Sequence, residues 1–276
     1  MDRKDQYQVD MHIHTTASDG TWTMEKLLEF ILKSNIKLFS ITDHDTIENS
    51  IKMFHRVPDN INYVIGTEIS CTYDMEEYHI TAYDFDYRNS KLNGLIEFNQ
   101  IRRKEFNRKI IEFVKEIDKI TDITDYFLYK YDRNRGGWES LNYLLDKNIV
   151  GNLKEYFEIV KLSNKKIRFK SPQEVIDIIK DAGGHPFLAH PSAYKNGGKL
   201  PAEVLKEWKA YGISGIECFS PYLRNIEDGN YYVKFCNENN LMISAGSDCH
   251  GEFNNRALGI PKVGVDEIRL DFMKNI

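Results

Sequence analysis

Short apolar runs alternate with helical stretches along this chain, and several of the runs end in clusters of histidine and carboxylate. That order limits the fold, because continuous apolar segments read as buried strands, and strands alternating with amphipathic helices build parallel βα units. Seven runs stand out: 7–14, 38–42, 63–69, 78–83, 187–189, 215–219 and 241–245. Between the first two, Thr23 caps a segment carrying Leu27, Leu28, Ile31 and Leu32 at helical spacing. Ser171-Pro172-Gln173-Glu174 opens another helix, with serine as cap and proline at the first helical position, and Gly183-Gly184 ends it. Helices at 202–210 and 231–239 separate the last strands. From 92 to 169 no strand pattern appears and polar-apolar helical patterns dominate. We expect an α/β domain formed by 1–91 and 170–276, interrupted by a helical insertion at 92–169.

Composition narrows the class further. The 276 residues are 41% hydrophobic and lack any apolar run of the roughly 18 residues that a membrane span needs. The first residues, MDRKDQYQVDMHIH, hold no apolar signal core, and the four cysteines are sparse and unpatterned, so a cytoplasmic protein with reduced thiols is expected. A net charge of −5 argues against stable coating of duplex nucleic acid.

The polar clusters carry the chemistry. In His12-Ile13-His14, residues two apart on a strand face the same way, and Asp19 in Ser18-Asp19-Gly20 can return from the loop that follows. Thr42-Asp43-His44-Asp45 closes the second run, Glu68 lies at the end of the third, and His79 lies in its hairpin partner. His190-Pro191 and Ser247-Asp248-Cys249-His250 close two later runs. In a βα barrel the strand C-termini form the reactive face. Six imidazoles and three carboxylates brought together there need a counter-charge that packing does not supply. Mixed nitrogen and oxygen ligands suit Mn²⁺, Fe²⁺ or Zn²⁺. Two or three such ions sharing bridging carboxylates would hydrolyse a phosphate ester through a metal-bound hydroxide. His55 and His185 match no cluster, Cys249 is read as an inert buried thiol, and one of Asp43 and Asp45 is expected to orient an imidazole.

Taken in order, His12-x-His14, Ser18-Asp19-Gly20, Thr42-Asp43-His44-Asp45, Gly66-x-Glu68, His79, Ala189-His190-Pro191 and Ser247-Asp248-x-His250 resemble the PHP (polymerase and histidinol phosphatase) family, and its TrpH-like phosphoesterases most. The resemblance spans residues 12 to 250. It implies a distorted, TIM-like (β/α)7 barrel with a trinuclear metal centre. Its ligands would be His12, His14, Asp19, His44, Glu68, His79, His190, Asp248 and His250, with His12, His14, Glu68, Asp248 and His250 carrying catalysis. The helix around Arg102 is similar to the basic helix that opens the insertion of TrpH-like members. Where those members carry a Gly-Arg-Pro-x-His motif, this chain has Asn134-Arg135-Gly136-Gly137-Trp138, without the proline and histidine.

Arg102, Arg135 and Tyr194 are the expected substrate contacts, since a guanidinium matches phosphate geometry. Arg256 is a weaker candidate, and Trp138 is expected to anchor the core of the insertion. The expected activity is hydrolysis of a phosphomonoester, or of the terminal phosphodiester of a nucleotide or short oligonucleotide. The alternatives are a phosphatase of a non-nucleotide metabolite and a non-catalytic metal-binding scaffold.

Overall fold

The structure is a computed structural model that describes residues 8–117, 119 and 122–273. Tyr7, where the first expected strand begins, lies outside the described residues. The chain starts with strand β1 (Gln8–Ile13), helix α1 (Met24–Lys33), strand β2 (Ile36–Ile41) and helix α2 (Glu48–Phe54). Thr23 caps α1 by accepting from the Lys26 N–H, and α1 buries Met24, Leu27 and Ile31. Strands β3 (Asn62–Tyr63), β4 (Gly66–Tyr73) and β5 (Glu76–Tyr83) follow. After the insertion come α6 (Pro172–Asp181), β6 (His185–Leu188), α7 (Ala202–Tyr211), β7 (Gly215–Phe219), α8 (Gly229–Asn239) and β8 (Met242–Ala245). The Ser171 and Glu174 capping box forms as its sequence requires.

The strands make two sheets, β1-β2-β3 and β4-β5-β6-β7-β8. Neighbours pair in parallel except at β4–β5 and β5–β6, which are antiparallel. Single bridges join the two sheets, Ile13 to Cys249 on one side and His44 to Glu68 on the other. The expected strand at 63–69 is corrected here, because it divides between the sheets. Val64 donates to the Phe39 carbonyl on β2 (3.2 Å), whereas the Gly66 N–H is taken by Ser50 Oγ (2.9 Å) before β4 turns to pair with β5. Glu68 therefore enters a strand rather than ending one. The largest apolar core lies between this sheet and α6, α7 and α8, around Phe187, Leu205, Trp208 and Tyr232.

The regular elements among the insertion's described residues are all helical: α3 (Ser90–Glu116), α4 (Glu139–Asp146) and α5 (Leu153–Ser163), with short 3-10 turns at Thr124–Leu128 and Arg133–Arg135. The N-terminal part of α3 sits in the main core through Leu92, Leu95 and Ile96. Its C-terminal part enters a second core through Ile110, Ile111 and Val114, packed with Leu141, Leu144 and Tyr156. No helix among the described residues is long and apolar enough to cross a membrane.

Candidate metal centre

Glu68 is the hub of the polar cluster. It is fully buried on β4, and five imidazoles surround its carboxylate: His12 Nε2 at 3.1 Å, His14 Nε2 at 3.2 Å, His44 Nδ1 at 3.1 Å, His79 Nδ1 at 3.2 Å and His190 Nε2 at 2.9 Å. The period of β1 brings His12 Nε2 and His14 Nε2 within 3.1 Å of each other. From the segment after β8, Asp248 Oδ1 reaches His14 Nε2 (3.1 Å) and His12 Nε2 (3.5 Å). Asp19, in the loop after β1, lies 3.3 Å from His250 Nε2, 3.5 Å from His14 Nδ1 and 3.9 Å from His44 Nε2.

Three groups emerge whose ligand atoms lie within 4.8 Å of one another: an inner group of His12, His14, Glu68 and Asp248, an outer group of His14, Asp19, His44 and His250, and a lateral group of His44, Glu68 and His79. His190 adjoins the lateral group through Glu68 and through His79 Nδ1 at 3.4 Å. All nine residues expected from the sequence are thus brought together. The side chains of His44, His79 and Asp19 keep 24%, 18% and 15% of their surface exposed while His12, His14 and Glu68 keep none, so the site opens along that edge.

The donor chemistry fits divalent cations. Nitrogens and carboxylate oxygens converge without thiolates, and buried Glu68 Oε2 and His44 Nδ1 have no well-formed hydrogen bond although each faces the cluster. Electrostatics agree. Burial opposes the charge of Glu68, but His12, His44 and His79 hold its carboxyl well below the usual range. Asp248 is held down likewise, chiefly by His250 and His12 against burial. Burial works against protonation of His14 and His79, yet neighbouring carboxylates push them up to about 9 and about 10. His44 is pushed down by burial to about 3. Two members of the site, His190 and Asp248, and the adjoining Asp45 have φ of 28°, 47° and 48°, a conformation costing on the order of 1–3 kcal/mol each outside glycine.

The cluster is held by Glu217, Glu77, Arg103 and Tyr222, which the sequence did not single out, and by Arg256, expected there only as a substrate contact. Glu217 on β7 faces His12 Nδ1 (2.9 Å) and accepts from the His190 N–H (2.9 Å). Glu77 on β5 faces His79 Nε2 (2.9 Å) and is paired with Arg103 of α3. Arg256 pairs with Asp248 Oδ2, Tyr222 OH donates to the same oxygen (2.7 Å), and the guanidinium stacks 4.5 Å over the Tyr222 ring. Signals existed for two of these: Glu217 is a lone charge in an apolar strand, and Glu77 stands two residues from His79 on the same strand face.

The remaining expected residues have the following partners. Neither Asp43 nor Asp45 touches an imidazole. Asp43 accepts from Thr15 and Ser18 in the loop after β1 (2.6–2.7 Å), and Asp45 from Ser70 on β4 and Asn99 on α3 (2.7–3.0 Å), buried donors that need an acceptor and occupy both carboxylates. Arg102 donates to the Arg168 carbonyl (3.1 Å) and to Glu105 (2.8 Å), and its neighbour Arg103 faces the site instead. Arg135 pairs with Asp146 on the surface (2.7 Å). Tyr194 stacks on Tyr78 at 3.8 Å and its hydroxyl accepts from the His79 N–H (2.9 Å), so it braces β5 rather than reaching outward.

The chain is similar in sequence and in fold to known proteins. The family model described as "PHP domain" matches residues 10–214. A 5'-3' exoribonuclease of Haemophilus influenzae is 25% identical over 248 residues, covering 87% of this chain and 89% of its own. A 3',5'-nucleoside bisphosphate phosphatase of Chromobacterium violaceum is 23% identical over 252 residues, covering 88% and 87%. Among solved structures, a proposed metal-dependent phosphoesterase from Bifidobacterium adolescentis superposes with a TM-score of 0.78 at 23% identity, over 94% of this chain and 93% of that one.

Proposed function

This chain belongs to the PHP domain family, and from that membership we propose that it is a metal-dependent phosphoesterase acting on a phosphomonoester, or on the terminal phosphodiester, of a nucleotide or short oligonucleotide. The observation that carries this reading is the gathering of six imidazoles and three carboxylates into one connected cluster, with Glu68 shared by two of its three groups. The exoribonuclease and bisphosphate phosphatase activities of its relatives support the nucleotide class. The fold is read as a distorted (β/α)7 barrel, 1–91 and 170–276, with 92–169 as a subdomain covering the substrate.

Two or three ions, Mn²⁺, Fe²⁺ or Zn²⁺, are assigned to His12, His14, Asp19, His44, Glu68, His79, His190, Asp248 and His250. When bound, they supply Lewis acidity toward phosphoryl oxygens and lower the pKa of water. The chain's own residues then set geometry. Glu217 and Glu77 fix the rings of His12 and His79, while Arg256 and Tyr222 hold Asp248 Oδ2 so that Oδ1 faces the inner group. His12, His14, Glu68, Asp248 and His250 are assigned to catalysis, and the open edge at Asp19, His44 and His79 admits the phosphate.

Glu217→Gln tests this support. It is expected to lower Mn²⁺ affinity about 10- to 100-fold with the fold retained, the usual effect of losing a ligand's orienting partner. Calorimetric titration with Mn²⁺ checks it, and wild-type affinity would count against the assignment.

Function itself is tested on the Mn²⁺-loaded full chain with a 3′,5′-bisphosphonucleoside, a 5′-mononucleotide, a short 5′-phosphorylated RNA and a sugar phosphate. Release of phosphate or mononucleotide from the first three is expected. Turnover of the sugar phosphate alone would overturn the nucleotide reading, and metal uptake without any turnover would leave a scaffold.

A further inference from the structure

The 3-10 turn Arg133–Arg135 and the two glycines after it bring the insertion down onto the loop that carries Asp19. Gly136 adopts φ 70° and ψ −175°, a conformation open essentially to glycine alone, and Gly137 has φ 67°. Their shape allows a close approach. The Gly137 N–H donates to the Asp19 carbonyl (2.8 Å), and a Cβ on Gly136 would stand 2.9 Å from that oxygen and 2.9 Å from Phe253 Cβ. A Cβ on Gly137 would stand 2.8 Å from the Phe253 ring.

Two further contacts tighten this approach. Arg133, an exposed side chain, donates to the Ala17 carbonyl (3.0 Å). From behind, the buried Asn142 amide on α4 donates to the carbonyls of Gly136 (2.9 Å) and Trp138 (3.1 Å). Phe253 packs against the second core, and its own N–H reaches back to the His250 carbonyl at 3.4 Å. The segment therefore grips the backbone beside Asp19 and the turn after His250, two members of the outer group. The inner group sits on β1, on β4 and after β8, and the hydrogen bonds described for 133–138 reach none of its members.

We propose that Gly136 and Gly137, locked by Asn142, are positioning residues that set occupancy of the outer metal group, coupling the seating of the insertion to metal loading. This rests on the reading of the three groups as metal sites. The glycines act through Asp19 and touch no reacting atom. Loss of the grip frees the Asp19 loop, so the outer ion weakens while the inner ion stays.

The test is metal stoichiometry and affinity of the full chain, purified metal-free and titrated with Mn²⁺, with folding followed by thermal unfolding in the absence of metal. Gly136→Ala and Gly137→Ala are expected to weaken one Mn²⁺ per chain by about 10- to 100-fold and to leave the tightest ion unchanged. Asp19→Asn should weaken the same ion, and adding it to Gly137→Ala should weaken that ion little further, because both act on one element. A purely structural role would lower the unfolding midpoint with stoichiometry and affinities intact, and that result overturns the proposal. Should the glycine variants fail to fold, Arg133→Met carries the test: a selectively weakened ion supports the clamp, and unchanged affinities overturn it. A wild-type chain that takes up no Mn²⁺ overturns the metal-centre reading, and the clamp with it, whereas metal uptake without hydrolysis leaves the clamp testable.

Discussion

Glu68→Gln is expected to reduce hydrolysis by about 10³-fold or more and to strip the inner and lateral groups of metal, while the chain still folds. The scale follows from chemistry: metal ions contribute several kcal/mol of transition-state stabilisation, and each 1.36 kcal/mol is a factor of ten in rate. The position follows from geometry. Glu68 is shared by two of the three groups and lies within 3.2 Å of five imidazoles, so no neighbour can substitute for it. Glutamine keeps the volume, but it removes the charge and puts an N–H₂ among ring nitrogens that need their lone pairs for a cation. Phosphate release, metal content by elemental analysis and a circular dichroism melt provide the three readouts. Activity within tenfold of wild type would remove Glu68 from the centre.

The second large effect is on pH. In the metal-free chain His14 titrates near 9 and His79 near 10, yet each must be neutral to bind a cation. Against burial, neighbouring carboxylates push His12 well above its ordinary value too, so metal uptake at pH 7 should release about three protons, and apparent affinity should rise by up to about 1000-fold per pH unit until His14 deprotonates near 9. Stability without metal runs the other way. A histidine whose pKa is raised on folding contributes fully below 6.5, its unfolded value, and loses that contribution as pH climbs through 9 to 10. The depressed carboxylates Glu68 and Asp248 do not offset this, because their contribution is complete above about 4.5 and vanishes only in acid. Between pH 6.5 and 10 the metal-free chain should lose stability while its metal affinity grows. Mn²⁺ calorimetry in buffers of different ionisation enthalpy counts the protons, and urea titrations at pH 6.5 and 9.5 give the stability. An affinity indifferent to pH would refute the coupling.

What could be read from the sequence follows a physical divide. Residues on one short element obey a fixed period, so His12-x-His14 on a strand and the strand-end clusters at His44, His190 and Asp248 announced themselves. Partners across elements did not. Whether Arg102 or Arg103 faces the site depends on a rotation of about 100° along α3, which only the packing of that helix against β4 and β5 decides. Arg135 looked available for phosphate until α4 placed Asp146 beside it. The run at 63–69 reads as one strand because apolarity says nothing about which of two sheets a residue joins. Gly136-Gly137 registered only as a departure from a motif, since the carbonyl it approaches lies more than a hundred residues earlier.

Helix α3 has one further consequence, for how such proteins can exchange parts. Its 27 residues make a rod of about 40 Å rooted in one apolar core and ending in another. At its middle Asn99, fully buried, donates to Asp45 (2.7 Å) and to the Ser70 carbonyl (2.9 Å), and Arg103 holds Glu77. A recombination point at residue 92 would therefore sever a shaft already embedded in the other module. The heritable unit that can be traded among relatives begins before Ser90, where Asn89 caps the helix. A chimera built at that junction exchanges Arg103, which holds the Glu77 that faces His79, so replacing the insertion also changes the support of the polar cluster.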